Sequence, residues 1–195
     1  MLTKEKVQKS FDALKDQFGY TNVIRAPKIT KIVVSSGVGS AKDKNRLKLV
    51  AERLSVITGQ KASARPSKTS ISQFKMREGD IVGYQVTLRN ERMYDFFDKL
   101  IHIALPRTRD FRGLSAGAID GMGNLTIGIK EHSIFPEASD EDLKDIFGIA
   151  ITIVTTAKTK EEAEAFFRYL GMPFTAEEAP KKAKAKTRSA PRGKK

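Results

Sequence analysis

The chain has 195 residues, 39% hydrophobic and 30% charged, no cysteine, and a formal net charge of +13. That length suits one sizeable domain with an appendage; no apolar run approaches the roughly 18 residues of a membrane span, and no secretory h-region opens the chain. Without Cys, disulfides and thiolate metal sites are excluded, which fits a cytoplasmic location.

Residues 3 to 18 place Val7, Phe11, Leu14 and Phe18 on one helical face, with Thr3 as N-cap and Gly19 just past the end. The β-branched run Ile29 to Ser36 predicts a strand, followed by a GVG turn. Leu47, Val50, Ala51, Leu54 and Ile57 then recur at helical spacing until Gly59. A short extended piece covers Lys61 to Arg65. The strand Ile81 to Arg89 sets Val82, Tyr84, Val86 and Leu88 against Gly83, Gln85, Thr87 and Arg89. Met93, Phe96, Phe97, Leu100 and Ile101 form an apolar helix face that ends by Pro106. Leu125, Ile127 and Ile129 alternate with Thr126, Gly128 and Lys130, and Ile149, Ile151 and Ile153 with Ala150, Thr152 and Val154. A last helix opens on a capping box, Thr159 with Glu162, buries Ala163, Phe166, Phe167 and Leu170, and stops at Gly171.

The order α, β, α, β, β, α, β, β, α lacks the strict alternation of a parallel sheet and predicts an α+β fold: a mixed, mainly antiparallel sheet with helices on one face. The other face is rich in Thr, Gln, Gly, Lys and Arg. A structural domain leaves such a face in water; a basic protein can dock it on RNA. Part of the charge is local, since Glu177 to Lys195 carries eight Lys/Arg against two Glu, or +6. The remainder keeps +7; a polyanionic partner is the expected explanation, because Lys and Arg that neutralise phosphates release condensed counterions, and a charge that serves solubility alone is the alternative.

Catalytic chemistry is sparse. His102 and His132 sit in no metal-ligand spacing, and His102 beside an apolar helix face predicts a core or boundary role. The acids Glu137, Asp140, Glu141, Asp142 and Asp145 suit a helix N-terminus capped by Ser139 or Asp140 better than a metal loop. No metal and no cofactor is expected. The Gly-rich turn Ser35 to Lys44 lacks the third Gly of a dinucleotide motif and any GK[ST], so a tight turn is the expectation there.

Two segments stand out. Lys61 to Arg77 holds five basic residues, Lys61, Arg65, Lys68, Lys75 and Arg77, and no acid. Ser, Thr and Gln side chains and Phe74 are interleaved, a mixture suited to phosphate, ribose and base contact; an exposed hairpin with one core Phe has the same composition. Pro106 to Asn124 has three Arg, then Gly113, Gly117, Gly121 and Gly123. It exceeds the roughly 12 to 15 residues beyond which structureless loops are usually functional or disordered, so partner contact and a mobile linker are both open readings.

LSVITGQKASARPSKTSISQFKMREG, YQVTLRNERMYDFFDKL and LPRTRDFRGLSAGAIDGMGN, with IFPE and ITIVTTAKT, closely resemble the corresponding segments of the family of bacterial large-subunit ribosomal protein number five. The resemblance runs collinearly over about residues 3 to 175. It implies one domain over 1–175 with sequence halves at about 24–80 and 84–175, leaving 176–195 as a basic, disordered tail on which the resemblance is silent. It also implies a non-enzymatic ribosome component, cytoplasmic, that binds 5S rRNA in the central protuberance beside 23S rRNA and neighbouring large-subunit proteins. The positions matching the rRNA grip are Ser35, Gln60, Phe74 and Thr87, joined by the basic Lys61, Arg65 and Lys68. Ser35 departs from the family's usual Asn, keeping a hydroxyl but losing the amide's paired donor and acceptor. A hairpin tip at Lys75, Met76, Arg77 and Gly79 is similar to the part that reaches peptidyl-site tRNA. The loop with Arg109, Arg112, Asp120 and Asn124 is similar to the part facing a small-subunit head protein across an intersubunit bridge. Apart from the family, two other readings remain: a general basic RNA-binding or chaperone protein acting through its tail, and a nucleotide-binding enzyme using the Ser35 to Lys44 turn.

Overall fold

Apolar alternation along the strands decides which way the sheet faces. In the computed structural model, which describes residues 3–38, 44–138 and 146–175, the strands are β1 (Ile29–Gly37), β2 (Ser63–Pro66), β3 (Ile81–Leu88), β4 (Leu125–Ile129) and β5 (Ile149–Thr155). They form one sheet in the order β2-β3-β1-β5-β4, every neighbouring pair antiparallel. Ile32 and Val34 of β1, Val86 and Leu88 of β3, Leu125 and Ile127 of β4, and Ile151 and Ile153 of β5 all point to one side and are buried. Helices α1 (Thr3–Gln8), α2 (Ser10–Phe18), α3 (Lys44–Thr58), α4 (Asn90–Lys99) and α5 (Lys160–Leu170) cover that side. The expected α+β architecture, helices on one sheet face, is the one observed.

The core between the layers is aromatic and aliphatic. Leu54 and Ile57 of α3, Phe96 and Phe97 of α4, and Phe166, Phe167 and Leu170 of α5 are almost wholly removed from water. Each such side chain contributes on the order of 1.5–3 kcal/mol. The Phe96 ring stacks on Phe135 at 6.0 Å. Lys99 ties this layer to α3: its ammonium donates to the Ile57 carbonyl (2.6 Å) and to Glu137 (2.8 Å), lying over the Phe96 and Phe135 rings.

Several local expectations are modified by tertiary contacts. The first helix is two helices, interrupted at Lys9, because the buried Ser10 hydroxyl donates back to the Val7 carbonyl (2.8 Å), a pattern that bends helices. Thr3 does not cap its own helix; its amide and hydroxyl both donate to Asp98 of α4. The apolar face of α4 continues through a π-helical turn, Leu100–Ala104, before Pro106. His102 is exposed on that turn, not at the core boundary, whereas His132 is buried and stacks on Phe147 at 4.0 Å. The Thr159 hydroxyl accepts from Glu162 N–H as a cap should, but the Glu162 carboxylate accepts from Lys158 N–H and the Tyr20 hydroxyl. The helix expected to start at Ser139 or Asp140, most of the Gly-rich turn after Val38, and the tail lie outside the described residues.

Candidate nucleic-acid interface

The sheet face away from the helices carries side chains that are exposed or only partly buried, and the strand register arranges them in rows. Ser63, Gln85, Ser35, Ala150 and Gly128 form one row across all five strands; Thr87, Val33, Thr152 and Thr126 form the next. The Thr126 and Thr152 hydroxyls lie 3.2 Å apart. These side chains are small or polar, so the surface is nearly level and offers hydroxyl and amide groups. None of the five strands contains an Asp or Glu, while Lys31 and Arg65 lie on this face and Lys130 follows β4. An acid-free surface with cations and hydroxyls suits a polyphosphate backbone.

Of the sequence-predicted rRNA residues, three are brought together here. Thr87 pairs with Val33 and Ser35 with Gln85, which makes Ser35 and Thr87 diagonal neighbours on adjacent strands. The Gln60 side-chain amide donates to the Thr87 carbonyl (3.3 Å). Gln60 reaches that place because α3 ends at Gly59 with φ +67°, and the Thr58 hydroxyl bonds the Leu54 and Gln60 carbonyls. The Ser35 hydroxyl lies only loosely, at 3.5 Å, against the Ala150 carbonyl, so it is nearly free to bond a ligand. Arg65 pairs with Gly83 on the β2 margin; a Cβ at Gly83 would sit 2.6 Å from the Ser36 carbonyl oxygen, so only Gly lets β3 pass there. Lys61 is exposed just before β2. Gln85, Thr126, Thr152, Lys31 and Lys130 share the face and were not singled out from sequence. The strand alternation signalled their side, and only the sheet order shows that they adjoin.

Lys68 and Phe74 are not on the sheet face; they stand on the hairpin joining β2 to β3. At its base Ser67 N–H donates to Asp80 C=O (2.8 Å) and Gly79 N–H to Ser67 C=O (3.0 Å). Further out Ile71 and Met76 exchange two backbone bonds, and a 3-10 turn, Ser72–Phe74, is closed by Lys75 at φ +53°. The Ser70 hydroxyl accepts from Glu78 N–H and the Asp80 carboxylate from Arg77 N–H. The tip is therefore Ser72 to Lys75, and Phe74 is 57% exposed there. Met76, Arg77 and Gly79, expected at the tip, lie on the returning arm, because the backbone pairing of Ile71 with Met76 places the turn before them.

The four residues expected at an intersubunit bridge divide between two places. Asp120 organises a closed turn: its carboxylate accepts from Met122 N–H (3.0 Å), Asn124 N–H (2.7 Å) and the Asn124 side chain (2.9 Å). The Asn124 amide group, then its backbone N–H, holds the Asp120 carboxyl below the usual carboxylate range. This turn precedes β4. Arg109 lies at the other end of β4, on the rim of a cavity of about 280 Å³ shared with Phe111, Leu114, Ile129 and Lys130; Arg112 is exposed nearby. With about 3.3 Å per strand residue, some 15–20 Å separates the two sites. The segment 106–124 is not a structureless linker, since Leu114 pairs with Phe174 and Ile119 with Leu125.

Among the described residues no cluster of His, Asp or Glu is arranged to hold a metal ion, and no helix is long and apolar enough to cross a membrane. Comparison with known proteins gives the family. Residues 22–77 match the family model "Ribosomal protein L5", and residues 81–174 match the model of the C-terminal part of the same ribosomal family. The chain is 50% identical to the large ribosomal subunit protein uL5 of Natranaerobius thermophilus, over 83% of this chain and 91% of the relative. It is 50% identical to that of Clostridium botulinum strain Loch Maree, over 88% and 96%, and 49% identical to that of a Thermoanaerobacter species, over 88% and 97%. The chain belongs to the ribosomal protein L5 (uL5) family, whose members are structural, non-enzymatic constituents of the large ribosomal subunit.

Proposed function

We propose that this large-subunit constituent binds 5S rRNA through the open sheet face, in the central protuberance beside 23S rRNA and its protein neighbours. The observation that carries the reading is the absence of any acid from all five strands combined with the convergence of Ser35, Gln60 and Thr87 on one patch. Phosphates lie along Lys31, Lys61 and Arg65, and the hydroxyl and amide groups fix register. The hairpin extends past the sheet margin and carries Phe74, Lys75 and Arg77 toward a second RNA, the peptidyl-site tRNA. Arg109 and Arg112 on one side, and the Asp120 to Asn124 turn on the other, face the small-subunit head protein as two separate contacts of one bridge.

The deciding experiment is filter binding of the purified chain to a 5S rRNA transcript and to an unrelated RNA of equal length, at several salt concentrations. The expected result is a preference for 5S rRNA that survives at moderate salt, with affinity for both falling steeply as salt rises. Equal affinity for the two RNAs at moderate salt would overturn the reading.

A further inference from the structure

Gly128 is a glycine that the protein itself does not require. It lies inside β4 with φ outside the left-handed region, and a Cβ there would meet nothing within 4 Å. Gly83 is different, since a Cβ would strike the Ser36 carbonyl oxygen at 2.6 Å. A glycine inside a strand weakens it, and it marks a bulge, a sharp bend or a place where another molecule comes close to the backbone. β4 has no bulge: from Leu125 opposite Ile153 to Ile129 opposite Ile149, its register against β5 runs without a shift. Burial alternates over its whole length, Leu125, Ile127 and Ile129 inward and Thr126 and Gly128 outward, so the strand keeps its course. Close approach from outside is what remains. The cross-strand partner of Gly128 is Ala150, which adds only a methyl group at the same spot.

Next along the same two strands stands a pair of hydroxyls. Thr126 and Thr152 are directly opposite, with their Oγ1 atoms 3.2 Å apart; Thr126 is exposed and Thr152 half-buried. Each hydroxyl has one hydrogen to donate and two acceptor positions, so the bond between the two leaves one hydrogen and several lone pairs for another partner. Neither threonine serves the core, because Leu125, Ile127, Ile151 and Ile153 fill the opposite face. A hydroxyl pair that both donates and accepts matches the ribose 2′-hydroxyl, which does both and which separates RNA from DNA. Gly128 beside the pair lets a sugar edge settle onto the backbone. The spot adjoins the patch described above. Gly128 shares a row with Ser35, two strand spacings or roughly 10 Å away, and Thr126 shares a row with Thr87, roughly 14 Å away. Exposed Lys130, past the end of β4, supplies a cation for an adjoining phosphate.

We propose that Thr126, Thr152 and Gly128 form a ribose-recognising subsite on the β4–β5 half of the open face: the hydroxyl pair bonds a 2′-hydroxyl of the bound RNA, and the bare backbone at Gly128 admits the sugar. The subsite rests on the reading that the open face binds 5S rRNA. The full chain, a Thr126→Val/Thr152→Val variant and a Gly128→Val variant are each titrated with a 5S rRNA transcript by filter binding and unfolded in urea. Valine keeps the strand preference of threonine, so the double variant is expected to hold the urea midpoint and to bind about tenfold more weakly. Its salt dependence should be unchanged, because no charge is lost. Gly128→Val is expected to keep or raise the midpoint and to bind about tenfold more weakly or worse; should it lower the midpoint, Gly128→Ala, one methyl in open space, takes its place. A second readout uses a pool of 5S rRNA transcripts with sparse 2′-deoxy substitutions, separated into bound and free fractions and mapped. The full chain should exclude 2′-deoxy nucleotides at a small set of positions, and the double variant should accept them at one or more of these. Unchanged affinity in the double variant or the glycine variant, or a 2′-deoxy pattern that the double substitution leaves unaltered, would overturn the subsite. The preference of the unsubstituted chain for 5S rRNA over an unrelated RNA is measured alongside. Its absence overturns the open-face reading and the subsite together, whereas its presence with silent variants overturns the subsite alone.

Discussion

Two residues show how position separates stability from recognition. Gly123 has φ +78°, and a Cβ there would meet the Ala157 Cβ at 2.9 Å, while its carbonyl accepts the Thr155 hydroxyl (2.7 Å). Gly123→Ala is expected to destabilise the fold by about 1–3 kcal/mol through backbone strain and overlap, read as a lowered urea midpoint, with RNA affinity of the folded fraction unchanged. Phe74→Ala should do the opposite. Its ring is mostly in water at the hairpin tip, so the midpoint should move by less than about 0.5 kcal/mol. If the ring stacks on a base, RNA affinity should drop by about 1–3 kcal/mol, measured by filter binding; a destabilised fold with unchanged affinity would reverse these assignments. Ser35 belongs with Phe74, since its hydroxyl has only a 3.5 Å contact within the protein.

Among the elements, the hairpin is the most separable. The Ser67 and Asp80 backbone bond closes its base independently of the tip, and β2 and β3 are already paired below it. Replacing residues 68–79 by Asn-Gly is therefore expected to leave the melting temperature within a few degrees and to remove the proposed contact with tRNA, followed by circular dichroism and by tRNA binding. A collapsed melting transition would show that the hairpin is part of the folding unit. Elements of this kind were legible in the sequence wherever burial on one side imposes a period, as in β4, β5 and α5. Features fixed by distant partners were not. The Ser10 hydroxyl beside the break at Lys9 also reaches the Pro27 carbonyl (3.5 Å), Thr3 bonds Asp98 far along the chain, and residues 113–114 are ordered by 173–175. The same limit governs the site. The resemblance named Ser35, Gln60 and Thr87 individually, but their meeting follows from β1 lying between β3 and β5. The residues expected at a bridge, contiguous enough in sequence to read as one loop, are parted by the length of β4.

For the whole molecule, the balance of charge sets both partner and conditions. Asp120 and Glu137 are carboxyls held low in the fold. Asn124 lowers Asp120; burial is the largest single influence on Glu137 and would push it up, but the hydrogen bond and charge of Lys99, a backbone hydrogen bond and the charge of Arg107 together outweigh it. A carboxyl whose folded value is depressed adds stability that is fully present above its unfolded range, about pH 4–4.5, and is lost as pH falls through the folded value. The urea midpoint should thus decline from about pH 5 toward pH 3, and it should decline less in a chain carrying Asp120→Asn and Glu137→Gln; an unchanged pH profile would remove the two groups from the account. The β2 margin has a different consequence, for the life of the chain before it meets RNA. A bare strand edge invites pairing with another chain, but β2 is four residues long, slips register between Arg65 and Pro66, and presents Arg65 beside Lys61 and Lys68. Short length, a proline and like charges are the features that discourage edge-to-edge aggregation. The cations proposed to attract an rRNA thus also keep newly made copies apart, and neutralising them is expected to give a protein that clumps as well as one that binds weakly.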